Sequence, residues 1–124
     1  MWDILKYAFF PKYFIQSNDG RYKLRKWSKA IIKRDKKCVV CGSRKRLEAH
    51  HLFDKNTYPH KALDINNGVT LCKKCHTEFH RFNGGFRKSC TYADFRRFMN
   101  RKKKNYWWIF IIPVIYGGYK FLIN

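Results

Sequence analysis

Two cysteine pairs constrain this chain more than anything else in it: Cys38-x2-Cys41 and Cys72-x2-Cys75. Each knuckle brings two thiolates together, and two knuckles supply the four ligands that Zn²⁺ takes in a closed tetrahedral site. Gly42, in "CVVCG", permits the tight turn of the first knuckle. The fifth cysteine, Cys90, makes the count odd. That count and the paired spacing point to metal ligation in a reducing compartment rather than a disulfide framework. Cys90 reads as a buried, inert thiol. With four thiolates in the shell no position stays open, so this zinc is expected to hold the fold and do no chemistry. The 30 residues between the pairs exceed the roughly 15 to 20 of a simple zinc ribbon. Further structure is therefore inserted between the knuckles.

The insert has a readable pattern. "RLEAHHLF" reads as a strand, residues 54–68 as a loop rich in Asn, Asp and Pro, and "GVTLC" as a second strand, giving a hairpin with a long connection. "KKCHTEFHRF" reads as a helix that starts at the second knuckle, and "NGG" at 83–85 ends it. Upstream, an aromatic-rich leader over 1–20 closes with the turn signal "SNDG". Trp27, Ala30 and Ile31 keep helical spacing with Ser28 as N-cap, which predicts a short basic helix over about 28–36. Downstream, Thr91 is placed to cap a helix running to about Arg101, with Phe95 and Met99 on one face and Phe98 beside them. The expected class is α+β. A zinc-stabilised core over 27–84 follows a leader (1–26) that packs on it, and a basic helix (85–104) and an apolar tail (105–124) come after.

Four of the five histidines gather around this frame. His76 and His80 are four apart on the predicted helix and so share a face; H-x3-H is a metal chelate elsewhere. His50 and His51 lie on the strand that the hairpin lays against that helix. With Asn67, the stretches "EAHH" and "NGVTLCKKCHTEFH" resemble the HNH endonucleases, the ββα-metal nucleases, over about residues 27–84. The run is most similar to small phage-type enzymes, including free-standing homing-type ones. The resemblance implies a treble-clef-like ββα-metal core and hydrolysis of DNA phosphodiesters to 5′-phosphate and 3′-hydroxyl ends. It implies His51 as general base, and His50, His76 and His80 as ligands of a catalytic divalent ion. It gives Asn67 the task of holding the hairpin and so orienting His51. His60 has no counterpart in the motif and reads as an exposed residue or a DNA contact.

The residue types suit that chemistry independently. A neutral imidazole can take a proton from water near pH 7. A single divalent ion can act as a Lewis acid on a phosphate oxygen, and three imidazoles leave its shell open to substrate. Nitrogen ligands favour Mn²⁺, Ni²⁺ or Zn²⁺, while Mg²⁺, common in assays of the family, prefers oxygen.

Lys and Arg number 28 against 8 Asp and Glu, a net charge of +20. Such an excess calls for an anionic partner: DNA first, an anionic membrane surface as the rival. The candidate phosphate contacts are Lys29, Lys33 and Arg34 on the basic helix, Arg44, Lys45, Arg46 and Lys55 around the hairpin, and Arg81, Arg87 and Lys88 after the histidine helix. No second recognition module accompanies them, so long, stringent site selection is not expected. No small-molecule substrate is expected either. Asp3 and Lys6 interrupt the apolar opening and no cleavage site follows, so a cytoplasmic location is expected, that of the host if a phage encodes the chain. The 106–123 tail is apolar except for Lys120 and follows "NRKKKN". Two readings stay open for it: packing on residues 1–15, or membrane association. Beside the nuclease stand two alternatives, an inactive zinc-stabilised DNA-binding module and a membrane-associated basic protein.

Overall fold

The computed structural model describes residues 11–112. Helices α1 (Pro11–Gln16) and α2 (Asn18–Asp35) lead into strand β1 (Leu47–His51). Two short 3-10 turns, Pro59–Lys61 and Ile65–Asn67, punctuate the connection to β2 (Gly68–Cys72). Helices α3 (Lys73–Phe82) and α4 (Tyr92–Ile112) follow. The chain is α+β, and the β1-β2-α3 run is the expected ββα core.

The strands pair antiparallel with His51 opposite Gly68, His50 opposite Val69 and Glu48 opposite Leu71. Side chains alternate across a strand, so the ribbon presents two different faces. His51, Ala49 and, opposite them, Gly68 and Thr70 face α2. The Thr70 hydroxyl donates to the Ile31 carbonyl at 3.3 Å, and its N–H donates to Asp35 Oδ2 at 2.8 Å. The approach of α2 is close enough to demand glycine at 68. A Cβ there would lie 2.4 Å from Trp27 Cζ2 and 2.7 Å from Ile31 Cδ1. The opposite face carries His50, Glu48 and Leu71 toward α3. There Leu71, Phe79, Phe95 and Phe98 form a buried core with Cys38, Cys72 and Cys75. The core thus begins at the cysteine knuckles and runs along α3 to α4.

Several sequence expectations need correction. The predicted helix over 28–36 is the C-terminal half of α2, which starts ten residues earlier. "SNDG" is not a closing turn but the start of that helix: the Ser17 hydroxyl accepts from the Gly20 N–H at 3.0 Å, and Asp19 sits in the first turn, where a carboxylate complements the helix dipole. Ser17, not Ser28, is the cap, and the boundary placed at 26/27 falls inside a helix. Thr91 does sit at the start of α4. Its N–H and hydroxyl both donate to Asp94 Oδ2, at 2.9 and 3.1 Å, which is the returning half of a capping box. That helix does not stop near Arg101. It runs to Ile112, across the boundary placed at 104/105. Most of the 106–123 tail, and most of the 1–15 segment it was expected to pack on, lie outside the described residues. Among the described residues no helix is long and apolar enough to cross a membrane.

Candidate metal centres and active site

The first cluster is the four cysteines. Cys38 and Cys41 sit on the loop after α2, where the Gly42 N–H returns to the Cys38 carbonyl at 2.9 Å. Cys72 ends β2 and caps α3, its sulfur accepting from the Cys75 N–H at 3.4 Å. All four sulfurs lie within 4.8 Å of one another, and Cys41 Sγ is 3.6 Å from Cys72 Sγ. A tetrahedron with Zn–S bonds of about 2.3 Å has edges of about 3.8 Å, so the cluster fits a zinc ion. Burial pushes the Cys38 thiol up, but backbone N–H groups of Cys41, Cys72 and Val40 outweigh it and bring the thiol down to about 7. Burial drives Cys41 and Cys75 up. Four sulfurs so close cannot all ionise unless a cation shares them. Cys90 stands apart, buried as expected, its thiol pushed up to about 11 by burial.

The second cluster is His50, His76 and His80, whose ring nitrogens also lie within 4.8 Å of one another. His76 Nε2 is 3.2 Å from His50 Nδ1 and 3.0 Å from His80 Nε2. Glu48 Oε2 meets the other nitrogen of His76, Nδ1, at 2.6 Å. A carboxylate there keeps the proton on Nδ1 and leaves the Nε2 lone pair directed at the cluster. One lone pair cannot satisfy two neighbouring rings. The outward nitrogens, His50 Nε2 and His80 Nδ1, are buried without a hydrogen-bond partner. His50 is only 4% exposed. Its burial, with the charges of His76 and His80 adding to it, lowers the imidazole to about 3, so the ring is neutral. Three imidazoles with ring nitrogens converging on one point are a donor set for a divalent transition-metal ion.

His51 belongs to neither cluster. Its alternation to the α2 face lays it flat on the Trp27 indole, with ring centroids 3.9 Å apart and planes 8° from parallel. Its Nε2 lies 2.8 Å from the Ala62 carbonyl. A carbonyl only accepts, so Nε2 carries the proton and Nδ1 holds the free lone pair. Burial lowers its pKa, against the Ala62 contact, which raises it. Asn67 supports this arrangement from behind. Its side chain accepts from the Phe53 N–H at 2.7 Å and donates to the Phe53 and Lys61 carbonyls at 3.0 Å each. It therefore fixes the segment that ends in the Ala62 carbonyl. His50, His51, His76 and His80 all line one depression, whose rim includes Lys55 and Lys88.

Of the predicted phosphate contacts, Lys29 and Lys33 are exposed on α2, Arg44, Lys45 and Arg46 before β1, and Arg87 and Lys88 after α3. Lys55, half-buried, and Lys88 reach the histidine depression. Lys45, Arg46 and Arg81 gather with Lys73 and Lys74 along a separate groove beside the zinc knuckles. Arg34 differs from these. Its guanidinium donates to Asp35 and to the Ile65 and Gly68 carbonyls at 2.8 and 2.7 Å, so it clamps α2 to the hairpin connection. His60 is exposed. Sequence reading missed Glu48, Ala62, the Trp27 stack and Lys73 and Lys74. Glu48 was legible in principle: it lies two residues before His50 on a strand and so shares its face.

Residues 38–82 match the family model described as HNH endonuclease. That span holds both cysteine pairs, the three clustered histidines, His51 and Asn67. Residues 38–82 are thus similar to an HNH endonuclease domain. HNH domains are in general nucleases that act on DNA and use divalent metals, and both clusters of candidate metal ligands lie within the matched residues. Trp27, the stacking partner of His51, lies outside the matched span, so α2 packs on the matched residues from their N-terminal side. No curated protein and no solved structure matches the chain.

Proposed function

We propose that the protein is a metal-dependent DNA endonuclease with His51 as general base, of the small free-standing kind found as phage or homing-type enzymes. One observation carries this reading: a half-buried imidazole with one nitrogen tied to a carbonyl stands beside three imidazoles that converge as a metal-binding set. His50, His76 and His80 would hold the divalent ion, with Mn²⁺, Ni²⁺ or Zn²⁺ preferred to Mg²⁺. An ion held there would supply Lewis-acid stabilisation of charge on the phosphate.

The chain's own residues do the rest. Trp27 and Ala62 hold His51 in one plane and one tautomer, and Asn67 holds the Lys61 carbonyl next to Ala62. Nδ1 of His51 takes a proton from water as the water oxygen bonds to phosphorus. The bond from phosphorus to the 3′ oxygen breaks, and that oxygen leaves with the electron pair and is protonated from solvent. The products are a 5′-phosphate and a 3′-hydroxyl. Lys55 and Lys88 at the rim meet the phosphate. The cysteine-bound zinc stays outside the reaction.

Plasmid nicking tests the reading. Protein holding one equivalent of tightly bound zinc should leave plasmid intact, and a second divalent ion should restore cutting. End-labelling should find 5′-phosphates. A protein that binds the plasmid and never cuts it with any divalent ion would instead be an inactive zinc-stabilised binding module.

A further inference from the structure

The loop after α3 places an aromatic ring at the mouth of the histidine depression. Gly84 and Gly85 follow the helix with φ of 96° and 115°, conformations open to glycine and costly for other residues. The turn they make is pinned. The Gly85 N–H donates to the His80 carbonyl at 2.7 Å, the Lys88 N–H donates to Gly85 at 3.2 Å, and the Asn83 amide donates to the Ser89 carbonyl at 3.2 Å. The chain is folded back so that Phe86 stacks on the His80 imidazole, centroids 4.4 Å apart and planes 24° from parallel.

Yet Phe86 is 65% exposed, the highest value among the large hydrophobic side chains described. One ring face is used by His80 and much of the rest meets solvent. A residue needed only to buttress His80 would gain by being covered. Around the open part stand Lys55, Asn56 and Lys88, which line the same depression. An exposed aromatic face among cations is the combination with which proteins hold single-stranded nucleic acid, a base stacking on the ring while the cations meet its phosphates. In a fully paired duplex each base is already stacked on its neighbours and offers no free face.

Resting on the nuclease reading above, we propose that Phe86 stacks on an unpaired base beside the scissile phosphate, so that the site prefers DNA that is locally opened. Phe86 is then a specificity determinant, and its stack on His80 sets where the opened nucleotide lies relative to the metal set.

The test uses the full chain and two DNAs of equal length and sequence. One is fully paired; the other carries a short central bubble containing 2-aminopurine. Binding is measured without added divalent ion, cleavage with Mn²⁺, and Mn²⁺ affinity separately. The wild-type protein should bind and cut the bubble on the order of ten-fold better than the duplex, in line with the stacking energy of one base, and should quench its fluorescence. Phe86→Ala and Phe86→Leu should lose most of that ratio and the quenching, mainly through KM, and Phe86→Trp should keep both. Equal handling of the two DNAs by an active wild-type protein would overturn the proposal. So would variants that keep the ratio and lose only Mn²⁺ affinity, since Phe86 would then merely support His80. Failure of the wild-type protein to cut either DNA with any ion would instead sink the nuclease reading itself.

Discussion

His50 and His51 are chain neighbours with opposite surroundings because a strand sends successive side chains to opposite faces. His50 goes to the α3 face and meets His76 and Phe79; His51 goes to the α2 face and meets Trp27. The resemblance assigned one to the metal and the other to the base, and alternation gives the physical reason that one residue cannot do both. Glu48 follows from the same rule, two positions back on the His50 face. Removing a carboxylate that orients a metal-binding imidazole typically costs about 10- to 100-fold in metal affinity. Glu48→Gln is therefore expected to weaken divalent-ion binding by that order while leaving the zinc content unchanged; unaltered affinity would remove Glu48 from the metal site. A second prediction concerns pH. Burial disfavours the His51 imidazolium, so its pKa lies below the usual imidazole value, about 6.5. The base is lost only as pH falls through that lowered value. At saturating metal, the acid limb of the rate profile should therefore lie at lower pH than that of a free imidazole. A rate already falling below about pH 7 with the profile of an ordinary imidazole would contradict the assignment.

At the scale of elements, the zinc knuckles and the hairpin are one unit. Cys38 and Cys72 are both part of the buried core with Leu71 and Phe79, and Arg34 ties α2 to the hairpin through the Ile65 and Gly68 carbonyls. Cys38→Ser should lose bound zinc and lower the melting temperature, because a small metal domain draws much of its folding free energy from the ion; unchanged zinc content and melting would refute this. Strand β2 and helix α3 were legible in the sequence to the residue. The knuckle at Cys72 and Cys75, the apolar spacing and "NGG" all act locally there. The start of α2 was not, because Ser, Asn, Asp and Gly serve turns and N-caps by the same side-chain hydrogen bonds. Only the preceding short helix, α1, decides between them. Arg34 and Ala62 were illegible for another reason. Their partners are 31 to 34 residues away for Arg34 and 11 for His51 with Ala62, so the contacts exist only once the long connection has folded back.

At the scale of the molecule, the chain carries a net charge of +20. Exposed cations lie on α2, before β1, around α3 and on α4, including the groove of Lys45, Arg46, Lys73, Lys74 and Arg81 beside the cysteine knuckles. They suit the phosphates of a duplex and carry no means of reading its bases. Affinity for DNA should thus fall steeply with salt and vary little with sequence. Each neutralised phosphate adds about 0.9 to the log–log slope, so a slope of roughly −4 or steeper is expected; a flat salt profile, or binding confined to one long sequence, would count against a phosphate-led encounter.

The central claim is a division of labour among cysteines that hold the scaffold, three histidines that hold the ion and one histidine that takes the proton. Single-turnover plasmid cleavage by His51→Ala, with zinc content, second-ion affinity and DNA affinity measured on the same protein, tests it most directly. The account predicts a loss in rate on the order of 10² to 10⁴, as for removal of a general base, with all three binding measures preserved and partial rescue by added imidazole. Near-normal cutting by His51→Ala, with His50→Ala dead and still loaded with the second ion, would show that the two neighbouring histidines have their roles reversed.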